Sequence, residues 1–474
     1  MLLLLCWAGV SCSSGGGGSF VAPPAPEWPR SDGDAANGRL SVPLSGNPGT
    51  LRWRFDLEAR PSASPVVGPT GVIYVGTEAG ELFALEPTGE LRWRFSTGAP
   101  QAVGGLLADL HGRLYFGTED GIFRAVSEEG IEIWRRDLGS FVPFSPLLEV
   151  DSFDLTVTGV FGGTEDGRFL ALDGESGDIR WQVSDLGMPA GAPARDVDGR
   201  IYALATSGQL EVLSLRGTRL LRIETGDAPV AAPMLLDISP VVGFGTAMGA
   251  VRSWTQAGTP RWAADLPAPL AGGLARTSAL SGGELLVLVV AVDEAGRVFL
   301  LDGRTGRPSG VCVGGESDGF PCWRDRDCEL GSCAGEVFYP LGEAPAVPPT
   351  SGSDGTLVFF TRNLEGGTTV RLLSPKVCSA GERAGILCRT EADCPNASCT
   401  PETEEGGVAA LRWSFSDGRC GGELEGTACR DDLDCSDGVP CLGTLAAVEH
   451  PPAVGLDGTL YFGTADGFLY ALGP

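Results

Sequence analysis

Apolar and polar residues alternate in short runs along most of this chain. The clearest stretch runs from Gly71 to Phe95: G-V-I-Y-V-G-T-E-A-G-E-L-F-A-L-E-P-T-G-E-L-R-W-R-F. Its period-two pattern of Val, Ile, Tyr and Phe predicts strands over Ile73–Thr77, Glu81–Leu85 and Leu91–Phe95. Gly-containing turns reverse the chain between them. One such unit cannot hide its own apolar faces, so its near-copies matter more than the unit itself.

Those copies recur to the end of the chain. Hairpin cores return at Gly112–Val126, Val160–Leu172, Gly199–Leu213, Val241–Trp254, Leu286–Leu301, Gly355–Leu373 and Gly458–Leu472. Tyr74 and Tyr115 stand one four-stranded propeller blade apart, roughly 40 residues, and Tyr202 falls close to a multiple of that spacing. A small-residue strand precedes each hairpin, as in Ser62–Val67 and Ala231–Leu235. Small side chains suit the crowded strand nearest a central axis. A further strand follows most hairpins, with a Trp shortly after a Gly: Gly89 leads to Trp93, Gly130 to Trp134, Gly177 to Trp181 and Gly258 to Trp262. Leu221 takes the Trp position in the fourth copy. These rings are expected to wedge between neighbouring sheets and to bind nothing.

The last copy ends at its third strand, while Leu51–Phe55, with Trp53, stands unattached near the other end. Pairing the two closes a ring and removes the exposed sheet edges. The expected fold is therefore all-β: an eight-bladed β-propeller of four-stranded antiparallel blades, spanning residues 49–474, whose last blade is shared by both termini.

The wedge motif carries a resemblance. Ala171-Leu172-Asp173-Gly174-Glu175-Ser176-Gly177-Asp178-Ile179-Arg180-Trp181 resembles the tryptophan-docking repeat of the PQQ-like β-propeller superfamily, and Ala84–Trp93 is a version one residue shorter. The resemblance covers residues 49–474 apart from three insertions. It implies either a quinoprotein dehydrogenase or a non-enzymatic binding propeller, such as the outer-membrane lipoprotein type that scaffolds β-barrel assembly. A site like that of the dehydrogenases needs a calcium held by carboxylate and amide groups, a catalytic Asp and a Cys-Cys disulfide. The chain contains no Cys-Cys dipeptide. It also lacks a G-x-S-x-G elbow, a P-loop and an H-E-x-x-H motif. No catalytic residue, cofactor or metal is therefore expected. Asp196-Val197-Asp198-Gly199 looks like a calcium-loop fragment without its distal Glu, and reads as an Asp-Gly turn between first and second strands. His111 and His450 are the only imidazoles, and both read as solvated turn residues.

The net charge of −27 argues against nucleic acid and against direct binding to anionic lipid. Leu2–Val10 is too short to span a bilayer and resembles the apolar part of an export signal, so residues 1–12 read as a leader. No Lys or Arg precedes it, which points to a start lying further upstream. Gly9-Val10-Ser11-Cys12 partly resembles a lipobox, making Cys12 the candidate lipidation site. Residues 13–48, rich in Gly, Ser and Pro, read as a flexible linker. Localisation is then exported: an outer-membrane lipoprotein, or the cell surface or periplasm. Membrane contact would run only through the lipid.

Three tetrads break the repeat within residues 312–333, 378–399 and 420–441. They are Cys312, Cys322, Cys328 and Cys333; Cys378, Cys388, Cys394 and Cys399; and Cys420, Cys429, Cys435 and Cys441. In an exported chain each reads as two disulfides, with three pairings open per tetrad. Structural zinc is the rival, but it favours closely spaced Cys pairs. Strand alternation puts the first two inserts on one face of the ring and the third on the other. All three fall on one side of the ring, which suggests a lateral recognition surface.

Finally, the turns joining second to third strands share one face. Glu78, Glu119, Asp120, Glu165, Asp166, Asp293, Glu294 and Asp466 would form an acidic crown there. Such residues also simply suit exposed turns. The crown reading is steering of a basic partner. The function expected is a non-catalytic envelope scaffold that binds a protein or an envelope polymer. The alternatives are a PQQ-dependent oxidoreductase and an adhesion module acting through the inserts.

Overall fold

The computed structural model describes residue 37 and residues 40–474, other than 99–101, 152–154, 237–240, 282–283, 363–366 and parts of 316–338, 381–408 and 416–444. Eight four-stranded antiparallel sheets, each in simple up-and-down order, follow one another around an axis. Blade 1 comprises Val66–Val67, Ile73–Gly76, Glu81–Leu85 and Leu91–Ser96, from the axis outward. Blades 2 to 7 repeat this order. Among the described residues no helix is long and apolar enough to cross a membrane.

The seam is made as the alternation predicts. Leu51–Asp56 pairs antiparallel with Phe468–Leu472, so that Arg54 opposes Tyr470 and Trp53 opposes Ala471. Trp53 lies 5.8 Å from the Tyr461 ring, and Arg52 pairs with Asp457 at 2.8 Å. Blade 8 thus takes three strands from one end of the chain and its outer strand from the other.

Five of the junctions between blades are locked by an aromatic wedge. The indole Nε1 of Trp53 donates to the Pro87 carbonyl at 2.8 Å, and that of Trp93 to Glu128 at 2.7 Å. Trp134 reaches Gly174, Trp181 reaches Leu215 and Trp262 reaches Gly303, each at 3.0–3.1 Å. Every acceptor lies in the following blade. The face of each ring rests on a glycine there. At Gly89 a Cβ would stand 2.7 Å from the Trp53 ring, and φ is +89°, a conformation that side chains resist. Leu221 fills the same slot against Gly258. A buried indole that also satisfies its N–H is well suited to this joint.

Within blades, one recurring device sits between first and second strands. Asp196 accepts from the N–H groups of Asp198 and Arg200 and from the Tyr202 hydroxyl, the last at 2.9 Å. The calcium-like fragment is therefore a turn, as expected. Asp109 does the same for His111, Arg113 and Tyr115. In blade 1 the equivalent position is Gly68, and the buried Tyr74 hydroxyl has no partner. This asymmetry is testable. Tyr74→Phe should be neutral or stabilising, because it deletes an unpaired polar group. Tyr202→Phe should cost about 1–2 kcal/mol in denaturant melts, because it strips a buried carboxylate of a donor.

The flexible linker expected over 13–48 is overturned in its last part. Leu40–Ser41 adds to the axial edge of blade 7 as a fifth strand, parallel to Thr350–Gly352. Leu44 is fully buried. The Asn47 side chain donates to the Gly458 and Leu472 carbonyls at 2.7 and 3.1 Å and accepts from the Gly49 N–H. Composition rich in Pro and Gly suggested a tether, but strand pairing, the buried Leu44 and the Asn47 side chain dock it.

Candidate functional site

The sequence offers two candidate surfaces, the acidic turn face and the cysteine inserts, and the structure adds a third place, the axis. Part of the axis is taken up by the chain itself: Asn37 and residues 40–48, here called the strap, lie along it. Asn37, buried and with φ of 56°, donates to the carbonyls of Ala192 in blade 4 and Pro233 in blade 5, at 2.8 and 2.7 Å. Asn tolerates this left-handed backbone better than most residues. From there the strap reaches blade 7, where Ser41 donates to the Ser351 carbonyl at 3.1 Å. Ser351 in turn donates to the Arg276 carbonyl of blade 6. The strap was missed because no repeat covers it; Leu40, Val42 and Leu44, alternating just before Asn47, were the available signal.

The turn face separates into two kinds of carboxylate. Asp293 is fully buried; it binds the N–H groups of Ala295 and Arg297 and pairs with the Arg297 guanidinium at 2.7 Å. It is not part of an exposed crown, because its turn needs it as a cap. Asp120, Asp166 and Asp466 are exposed but bend back to accept from Thr118, Thr164 and Thr464 at 2.5–2.6 Å. Burial pushes the Asp166 carboxyl up, but the Thr164 hydroxyl and the Arg168 guanidinium that pairs with it hold it below the usual range. Glu119 accepts from the Ala102 N–H at 3.3 Å. Glu78, Glu165 and Glu294 are exposed and carry no ion pair among the described residues.

All four glutamates hold one structural position. Each backbone N–H donates to the connection entering its blade, Glu78 to Arg60, Glu119 to Ala102, Glu165 to Phe141 and Glu294 to Pro269. Their side chains are thereby fixed on one rim. The same position is Thr206 in blade 4, Ala247 in blade 5, Arg362 in blade 7 and Ala465 in blade 8, so the glutamates are confined to blades 1, 2, 3 and 6. Met248 in blade 5 is 82% exposed, and Met188, beside the blade 4 turn, is 50% exposed.

The inserts sit where the alternation put them. The first lies between third and fourth strands of blade 6, the second likewise in blade 7, and the third between blades 7 and 8. Cys312 bonds Cys328 and Cys322 bonds Cys333; Cys378 bonds Cys394 and Cys388 bonds Cys399. The pairing first-to-third and second-to-fourth was one of the three left open. Sulfurs so paired offer no thiolate to a metal. Of the third tetrad, Cys435 and the side chains of Cys420, Cys429 and Cys441 lie outside the described residues, as does Cys12.

His450 is not a solvated residue. It is half-buried at the entry to blade 8 and bonds the Pro61 carbonyl at the start of blade 1. Burial lowers its pKa below the ordinary 6.5, partly opposed by Glu449 and by that bond. A depressed pKa means the unfolded chain takes up this proton first as the pH falls. The contribution is therefore present above 6.5 and lost as pH drops through and below that value. His450→Gln should flatten the fall in melting temperature between pH 7.5 and 5.5, measured by calorimetry. His111 is exposed, as expected.

Residues 37–237 match the family model described as outer membrane protein assembly factor BamB. A curated relative, the outer membrane protein assembly factor BamB of Yersinia pestis, is 25% identical over 236 residues, 44% of this chain. The chain spans 59% of the length of that relative. BamB from Moraxella catarrhalis overlays with a TM-score of 0.48 at 19% identity, covering 68% of this chain and 87% of that one. The quinohemoprotein alcohol dehydrogenase of Comamonas testosteroni overlays with a TM-score of 0.43 at 15% identity, covering 95% and 80%.

Proposed function

We propose that this protein is a non-catalytic scaffold of the cell envelope, exported and anchored through a lipid on Cys12, that holds a protein partner on its turn face. The observation that carries the reading is the strap. Asn37 and Leu40–Ser41 lie against the axial strands of blades 4, 5 and 7, so the chain itself takes up part of the place where a central ligand would sit. The PQQ-like repeat, matched through an assembly-factor family, supports the same reading.

The turn face defines the partner's chemistry. An exposed methionine sector at blades 4 and 5 lies between blades 3 and 6, which carry Glu165 and Glu294. Methionine adapts to varied apolar shapes, and unpaired carboxylates favour a cationic approach. The partner is then a protein segment with apolar side chains flanked by Lys or Arg. The inserts, on short disulfide-closed loops, are secondary contacts.

The test is capture from an envelope extract by wild type and by a variant with Glu78, Glu119, Glu165 and Glu294 all changed to Lys. Loss of the captured proteins in the variant is expected. Dye reduction by the purified protein supplied with PQQ and calcium would defeat the reading outright. Cys12→Ser should move the protein from the membrane fraction to the soluble fraction.

A further inference from the structure

The strap has a direction, and the direction has a consequence for how the ring is held. Leu40–Ser41 runs parallel to the axial strand of blade 7, whose far end enters the turn at Gly352–Gly355. Residues 40–48 therefore run from the side of the turn face, where second and third strands join, toward the opposite face. At that opposite face Ser45 donates its N–H to Asp354, and Asn47 holds the Gly458 turn. Upstream, Asn37 binds carbonyls just before the axial strands Ala194–Arg195 and Met234–Leu235, at their turn-face ends. The anchor of the strap is thus at the turn-face end of the axis and not at the rim.

We propose that the strap sets the pose of the propeller on the envelope. Whatever holds the N-terminal segment pulls on the ring at the centre of the turn face, so that face is turned toward the membrane. The face bearing the first two cysteine inserts is then turned away from it. This rests on the lipid-anchor reading given above, and it assigns the two faces different partners. The methionine sector and the carboxylates meet a membrane-proximal protein, and the disulfide modules of blades 6 and 7 meet the compartment beyond.

Two further features agree with a load on this path. Asn37 is held by two different blades, so tension is shared across a junction and not taken by one sheet. At the other end Asn47 binds the Leu472 carbonyl as well, so the same strap grips the seam. A pull from the turn face draws the strap against both.

The experiment uses the full chain with Cys12→Ser and a polyhistidine tag inserted after Gly18, bound to vesicles containing nickel-chelating lipid. A donor dye is placed on Met248→Cys, on the turn face, or on Val197→Cys, in the turn between first and second strands on the opposite face. Acceptor-labelled lipid reports the distance. The strands separate the faces by about 15–20 Å, enough for quenching at position 248 to exceed that at 197 on the order of twofold. Equal quenching, or stronger quenching at 197, overturns the proposal. Asn37→Ala combined with Leu40→Pro, which frees the strap without touching the seam strand, should erase the difference while the protein stays bound to the vesicles. If that variant keeps the full difference, the strap does not set the pose. Because the tether is supplied by the tag, either outcome is independent of whether Cys12 carries a lipid.

Discussion

Trp134→Ala is expected to destabilise the ring by about 3–5 kcal/mol, the range for emptying a large buried aromatic site. Its indole is buried, stacks 6.1 Å from Phe123 and equally close to Tyr115, and donates across the junction to Gly174. The alanine variant leaves a cavity between blades 2 and 3 and an unanswered carbonyl. The effect should appear as a lower denaturant midpoint with the slope unchanged if the ring still unfolds as one unit. Filling the joint from the other side should be as damaging. Gly177 has φ of +71°, and a Cβ there would stand 2.5 Å from the Trp134 ring. Gly177→Val should therefore lose at least as much as Trp134→Ala, and the two together less than their sum, because both break one joint. A cost below about 1 kcal/mol for either would mean that the wedges decorate the blades and do not join them.

Removing the strap and removing the seam strand should separate two kinds of failure. Leu44→Ala is expected to cost about 2–4 kcal/mol, since Leu44 is fully buried within the cluster shared by blades 7, 8 and 1. Truncation before Gly49 adds the loss of the Asn37 and Asn47 hydrogen bonds but leaves Leu51–Asp56 in place, so a closed, weaker ring should survive. Truncation before Leu57 takes the outer strand of blade 8 as well. That exposes the edge of Phe468–Leu472 and leaves Gly89 without the Trp53 ring. An unpaired edge of apolar residues is a template for association. The second truncation should therefore elute as oligomers or precipitate, whereas the first stays monomeric by light scattering.

Most of the ring was legible because each of its rules is local. A strand alternates with period two, a turn carries Gly at a fixed place, and a Trp follows that Gly at a fixed distance. The seam could be read because a lone fourth strand at one end matched a missing one at the other. What escaped was everything that works at long range through single residues. Asn37 and Asn47 sit in a composition that suggests a loose tether, and nothing near them in sequence hints at carbonyls in blades 4, 5 and 8. His450 looked like a solvated turn residue because it stands alone, without the paired spacing of a site, yet it is partly buried and bonds the Pro61 carbonyl. The crown was legible as a pattern but not as chemistry. Whether an Asp faces solvent or caps its own turn depends on the rotamer, and in Asp120, Asp166 and Asp466 a Thr two residues earlier decides it. The same short stretch, Thr-Glu-Asp-Gly, thus carries one outward and one inward carboxylate.

The inserts were legible as covalent units and not as surfaces. Links that close loops of 16 and 11 residues restrict the unfolded chain by about 3 kcal/mol each in the loop-entropy picture.

The seam also constrains how the protein is made. Asn47 and the carbonyl it grips, Leu472, are 425 residues apart. The strand Leu51–Asp56 has no partner strand until Phe468–Leu472 has been made. Through all that time it is an adhesive ribbon in a crowded compartment. Birth of this ring therefore ends with its slowest step, and a holdase that shields the waiting end would shorten the interval in which the newborn chain can be lost.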